Sequence, residues 1–177
     1  MSTDDAVRVW LRRQGAERIA HPGGNLYAHL CRVSERLALL GCGSDVQAAG
    51  LTHAVYGTDG FDLALLDRAD RAVLRDLVGA DAEELVYLYG ACDRGRSWRE
   101  LAQTGQVFDR FVGQVRTPDA AHLRSLMDLS IVNELDVIEH DSAVADRYGA
   151  YFRDLFASWA SLASEQVIRD AQRVLRQ

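Results

Sequence analysis

Apolar residues recur along most of the chain at spacings of three and four, the mark of helices that bury one face, and only Pro22 and Pro118 punctuate it. The pattern predicts an all-α fold. A first helix near Thr3 to Gln14 turns Ala6, Val7, Trp10 and Leu11 inward and stops at Gly15. After the His21-Pro22-Gly23-Gly24 loop, Leu26, Leu30, Val33 and Leu37 form the stripe of a second helix that stops at Gly41 and carries His29 on its apolar face. A third helix, with Ser44 read as its N-cap and Asp45 in its first turn, turns Val46, Ala49, Gly50 and His53 inward before Gly57.

Leu63 to Val78 reads as one or two helices closed by Gly79, and Asp81-Ala82-Glu83-Glu84 opens another in the manner of a capping box, running to about Ala91. Around 105–116 the helical period lapses. Phe108, Phe111, Val112 and Val115 about Asp109-Arg110 predict a short β-hairpin there. Thr117-Pro118-Asp119 is a helix start, with proline read at the first helical position, and Leu123, Met127, Ile131, Leu135 and Ile138 define the stripe that follows. The last segment, from Ala143 onward, spaces Val144, Tyr148, Phe152, Leu155 and Trp159 helically, with a break near Ser161 to Ser164. Its aromatic residues fit either a core or a homodimer face. Without repeats or linkers, residues 1–177 read as a single helical bundle domain.

Composition narrows the classes. With 48% hydrophobic and 26% charged residues over 177 positions, the chain can bury a core, which excludes disorder as its main state. A net charge of −6, with no basic cluster, argues against a nucleic-acid partner, since phosphate neutralisation needs a positive face. Every one of the 20 basic residues is arginine, so Schiff-base catalysis by lysine is excluded. Cys31, Cys42 and Cys92, odd in number and unpaired by spacing, point to reduced thiols in a cytoplasm. No segment has the length and apolarity of a membrane span, and no export signal is read at the N-terminus, so a cytoplasmic protein without membrane contact is expected.

Two inward histidines on consecutive helices carry most of the chemical information, because a half-buried imidazole is hydrogen-bonded, metal-bound or lining a cavity. The stretch Asn25-Leu26-Tyr27-Ala28-His29-Leu30-Cys31-Arg32-Val33, then Leu40-Gly41, then Ala48-Ala49-Gly50-Leu51-Thr52-His53-Ala54-Val55-Tyr56-Gly57-Thr58, resembles the first two metal-binding helices of the HD-domain superfamily. That superfamily includes phosphohydrolases and the hydrolase domains of alarmone enzymes. The chain also resembles a group of uncharacterised HD-like domains. The resemblance implies an HD-like helical bundle in which His29 matches the first metal-binding histidine and His53 the histidine of the His-Asp doublet. Ala54 then stands where the doublet has aspartate, and Asn133, within Ile131-Val132-Asn133-Glu134-Leu135-Asp136, where a later helix has its last aspartate. Hard divalent cations need charged oxygen ligands, so a degenerate site without metal or other cofactor is expected.

In such a site His53 acts as general acid or base, with His29 tuning it and Tyr56 adding a phenolic donor. His21 at a pocket mouth, Thr58, Asn133 and Glu134 are read as substrate-binding groups, and Asp93 and Arg94 as an anchor for an anionic substrate group. These readings point to a small metal-independent cyclase, lyase, isomerase or hydrolase of small-molecule metabolism. Two alternatives stay open. One is a ligand-binding or interaction module without catalysis. The other is a metal-dependent hydrolase or oxygenase in which His21, His29 and His53, helped by Glu134 or Asp136, hold Zn²⁺, Fe²⁺ or Mn²⁺. Cys92 has no visible base to activate it as a nucleophile, Asp141 and Ser142 read as an N-cap after His140, and His122 reads as a surface residue.

Overall fold

A computed structural model describes residues 3–176. The fold is all-α: ten helices and four short strands among those residues, with the chain dividing between Gly90 and Ala91 into two compact units. The first unit begins with α1 (Thr3–Arg13), whose Val7 and Leu11 are buried while Ala6 and Trp10 are half-buried. A two-residue hairpin follows, β1 (Ala20–His21) against β2 (Gly24–Asn25), where periodicity gave only a loop. Four residues are too few for a strand period to show. Arg32 donates to the carbonyls of Pro22 and Gly23 at 3.1 and 3.3 Å, tying the hairpin tip to the helix behind it.

That helix, α2 (Leu26–Leu39), is capped by Asn25, whose side chain accepts from Ala28 N at 2.8 Å, and buries the expected Leu26, Leu30, Val33 and Leu37 stripe together with His29. The next, α3 (Ser44–Thr52), has Gly43 rather than Ser44 at its N-cap, with no side-chain cap. It packs along α2, Ser34 donating to the Gln47 carbonyl at 2.9 Å. Contact is closest at Gly50, where a Cβ would stand 2.5 Å from Leu37 Cδ1 and 3.3 Å from Ser34 Cα. Gly50→Ala is therefore expected to destabilise the protein by about 1–2 kcal/mol, overpacking outweighing the gain in helix propensity. Chemical denaturation measures this, and an unchanged or raised midpoint would contradict the close packing.

After α3 the chain turns rather than continuing as helix. Gly57, at φ +75°, lies against the Asp62 backbone, which a Cβ would approach to 3.2 Å, so only glycine fits there. A short 3₁₀ turn at 68–70 leads into α4 (Arg71–Val78), so 63–67 is not helical, and then α5 (Ala80–Ala91).

The second unit opens with two single-turn helices, α6 (Arg94–Ser97) and α7 (Leu101–Thr104), and the expected hairpin, β3 (Val107–Asp109) paired antiparallel with β4 (Gln114–Arg116). Its centre is α8 (Ala120–His140), capped by Asp119 and not begun by Pro118, with Leu123, Met127, Ile131, Leu135 and Ile138 all buried. It is followed by α9 (Ser142–Ser158), which Asp141 caps as expected, and α10 (Glu165–Val174). Of the aromatic stripe, Phe152 and Trp159 are core, at 6% and 0% exposure, while Tyr148 remains 40% exposed. Trp159 donates to the Trp98 carbonyl at 3.2 Å, its ring edge-on to that of Trp98. No helix among the described residues is long and apolar enough to cross a membrane.

The start of α10 is held by a residue far away in sequence. Buried Asp128 on α8 accepts from Ser164 N at 2.8 Å and from Ser164 Oγ at 2.6 Å. Burial pushes the Asp128 carboxyl up, against the opposing pull of those two bonds. Since its folded value lies above the unfolded one, ionising it at neutral pH works against folding, and stability is regained as pH falls through the raised value. Asp128→Asn, which keeps both partners, is expected to change stability at neutral pH by under about 1 kcal/mol, whereas Asp128→Ala loses about 1–2 kcal/mol with its cap. Thermal melts of the two variants separate these roles; equal losses would show that the charge itself is required.

Candidate functional site

Within the first unit the aromatic rings form a continuous ladder. His21, half-buried on β1, stacks on His29 of α2 with ring centroids 4.0 Å apart and planes 26° apart. The Phe61 ring meets His21 edge-on at 5.5 Å. His29 in turn meets His53 edge-on at 5.1 Å, and His53 meets Tyr89 of α5 at 5.2 Å. His29 and His53 are 0% and 2% exposed. Each position follows from local structure: Asn25 starts α2 so that His29 falls on its buried stripe, and α3 ends at Thr52 so that His53 sits at the C-cap.

The proton inventory of the pair follows from its partners. His53 Nδ1 lies 2.8 Å from the Gly50 carbonyl, which can only accept, so Nδ1 carries the hydrogen. In the neutral ring Nε2 is then a bare acceptor. It faces His29 Nε2 at 3.2 Å, and that bond forms only if His29 carries its hydrogen on Nε2. Two neutral imidazoles therefore share one oriented N–H···N bond. Protonating His53 Nε2 would set two N–H groups against each other.

A metal ion fits this donor set poorly. Imidazole lone pairs lie in the ring plane, so His21, stacked face to face on His29, does not converge on a shared ion with its neighbour. Among the described residues no group of three His, Cys, Asp or Glu side chains is arranged to hold one. Ala54 offers no ligand atom at all.

Tyr56 does not extend α3 beside His53; it stands in the turn beyond, and its hydroxyl donates to Glu83 at 2.8 Å. Burial, then the bond to Glu83, pushes the Tyr56 hydroxyl up, so it remains a donor and is no base. Glu83, fully buried, receives Arg71 through both oxygens at 2.7 and 2.8 Å and Arg75 at 3.2 Å. Arg71 also lies 4.0 Å over the Tyr87 ring. Burial alone would raise the Glu83 carboxyl, but the Arg71 and Tyr56 bonds outweigh it and hold it below the ordinary carboxylate range. Thr58 exchanges backbone hydrogen bonds with Phe61 at 2.9 Å and so fixes the loop that carries Phe61 to His21. Sequence patterning read Glu83 as part of a helix cap; its burial among arginines from α4 is invisible to spacing within one helix.

The remaining predicted residues belong to the second unit. Arg94 donates to Glu134 Oε1 at 2.9 Å, and Asn133 Nδ2 donates to the same oxygen at 3.0 Å. Asp93 caps α6, accepting from Arg96 N at 2.9 Å, so its carboxylate serves the helix. His140 Nδ1 donates to the Asp136 carbonyl at 2.7 Å, and His122 pairs with Asp119 at 2.9 Å. Cys92 is buried, and burial pushes the Cys31 thiol up, so neither sits as an activated thiolate would.

Residues 10–94, just under half of the chain, match the model of a family described as Domain of unknown function (DUF6817). The matched segment spans the whole histidine ladder and the Glu83 cluster. No curated protein and no solved structure matches the chain.

Proposed function

We propose that the chain is a small enzyme that acts without a metal on a small organic molecule, using the His29–His53 pair for acid/base chemistry. One observation carries this: two buried imidazoles share an oriented bond whose direction is set by the Gly50 carbonyl. Imidazoles joined in this way can pass a proton between a reacting group and each other, as elimination, isomerisation, cyclisation and hydrolysis require. His21, half-buried and stacked on His29, lies on the side proposed for substrate approach. The resemblance of 25–33 and 48–58 to HD-domain helices supports the same reading, the histidines being kept where Ala54 and Asn133 replace carboxylates.

The test uses chelator-dialysed protein incubated with a small-molecule extract and followed by mass spectrometry. The expected result is depletion of a compound by the wild type and not by His53→Asn. Turnover that survives in the variant, or that needs added metal, contradicts the proposal. Saturable binding with no turnover by the wild type would give the domain a binding role instead.

A further inference from the structure

The second unit holds a groove of about 290 Å³ between α9 and α10. Its floor is apolar: Phe156, Ile168, Ala171 and Leu175 are all buried, with Ala157 at the rim. Arg153 and Arg176 stand at its mouth. On the rest of α10 the arginines are matched by carboxylates one turn away, Arg169 by Glu165 and Arg173 by Asp170. Arg153 and Arg176 have no carboxylate partner among the described residues, although the chain carries a net charge of −6. Arg153 is also oriented, since its Nε donates to the Leu175 carbonyl at 3.0 Å and leaves the two terminal nitrogens of the guanidinium for another acceptor.

We propose that this groove binds a small monocarboxylate with an apolar chain, the carboxylate on Arg153 and Arg176 and the chain over Phe156, Ile168 and Ala171. Two unmatched cations beside a buried apolar floor complement an amphiphilic anion and no other simple ligand class: a cation meets like charge, and a neutral apolar molecule leaves both guanidiniums unused. The volume of about 290 Å³ lies just below the roughly 300–1,000 Å³ typical of small-molecule sites, which suits a chain of modest length and not a lipid bilayer. A more polar depression of about 500 Å³ adjoins at Arg153 and Leu175 and carries Glu139 and Asp146, which repel an anion and direct its carboxylate to the Arg153–Arg176 side.

The experiment is a methyl and amide NMR titration of the full chain with octanoate, kept below its micelle concentration, beside octan-1-ol and octylammonium. The expected result is saturable shifts at Ala157, Ile168, Ala171 and Leu175 with octanoate, and binding weakened about tenfold by Arg153→Gln together with Arg176→Gln. Ala157→Trp, at an exposed rim position, closes the mouth and abolishes binding. Absence of saturable shifts, shifts centred elsewhere, equal binding of octanol, or indifference to the arginine variants overturns the proposal. Concentration-dependent shifts at these positions without ligand also overturn it, by making a second copy of the chain the occupant.

Discussion

Glu83→Ala is expected to lower the melting temperature by roughly 6–12 °C. Removing one partner of a buried ion pair costs about 3 kcal/mol at the low end of the usual range, and a protein of this size loses some 2–4 °C per kcal/mol. The low end applies because Arg71 keeps a quarter of its side chain in water and Arg75 half, so both can be resolvated. What cannot be recovered is the Tyr56 hydroxyl, left without its acceptor in the turn after α3. The pH dependence has a definite sign. The Glu83 carboxyl lies below its unfolded value, so its contribution is full above the ordinary carboxylate range and fades as pH falls through the folded value. Glu83→Gln, similar in shape but uncharged, removes that part of the acid limb of the stability profile. A melting temperature within 2 °C of wild type for the alanine variant would mean that the cluster contributes little.

His53→Asn is expected to leave a folded, helical protein whose substrate conversion falls by about 10²–10⁴-fold. The choice of asparagine follows from the geometry. His53 is 2% exposed, so alanine would open a cavity and strand both the Gly50 carbonyl and the His29 Nε2 hydrogen, losing about 2–4 kcal/mol. Inactivity of an unfolding variant would say nothing about chemistry. The asparagine amide reaches the position of imidazole Nδ1, keeps the donor to Gly50 and deletes only the Nε2 acceptor. Circular dichroism and a melt confirm the fold, and conversion is then read against it. A folded variant with wild-type turnover refutes His53 as the acid/base group.

The stripe of α2 was legible in the sequence because that helix buries one face, the situation in which a 3.6-residue period is strongest; the stripe of α8 was legible as well, although 126–136 are buried on every side. So were the stops at Gly15, Gly41 and Gly79, where positive φ demands glycine. The β1–β2 hairpin was not, since two-residue strands carry no period, and Ser44 failed as an N-cap because preference for a residue type does not decide which of two neighbours starts the helix. For the site, His29 and His53 could be placed on inward faces from spacing alone. Their mutual bond could not, because it depends on α2 and α3 approaching closely enough at Gly50 to bring the two rings together. The position of Tyr56 was not legible for a related reason: spacing of three from His53 gives a shared face only if the helix continues, and Gly57 with its close approach to Asp62 is part of why it does not. The ring contacts of His21, Phe61 and Tyr89 come from three separate segments, which no local pattern joins.

The central claim is the oriented bond between His53 and His29, and a long-range proton–nitrogen correlation spectrum of the histidine side chains tests it directly. The predicted result for the neutral protein is His53 with hydrogen on Nδ1 and bare Nε2, and His29 with hydrogen on Nε2. Finding hydrogen on Nδ1 of both rings, with two bare Nε2 atoms facing each other, would contradict the account and give the pair the form of metal ligands.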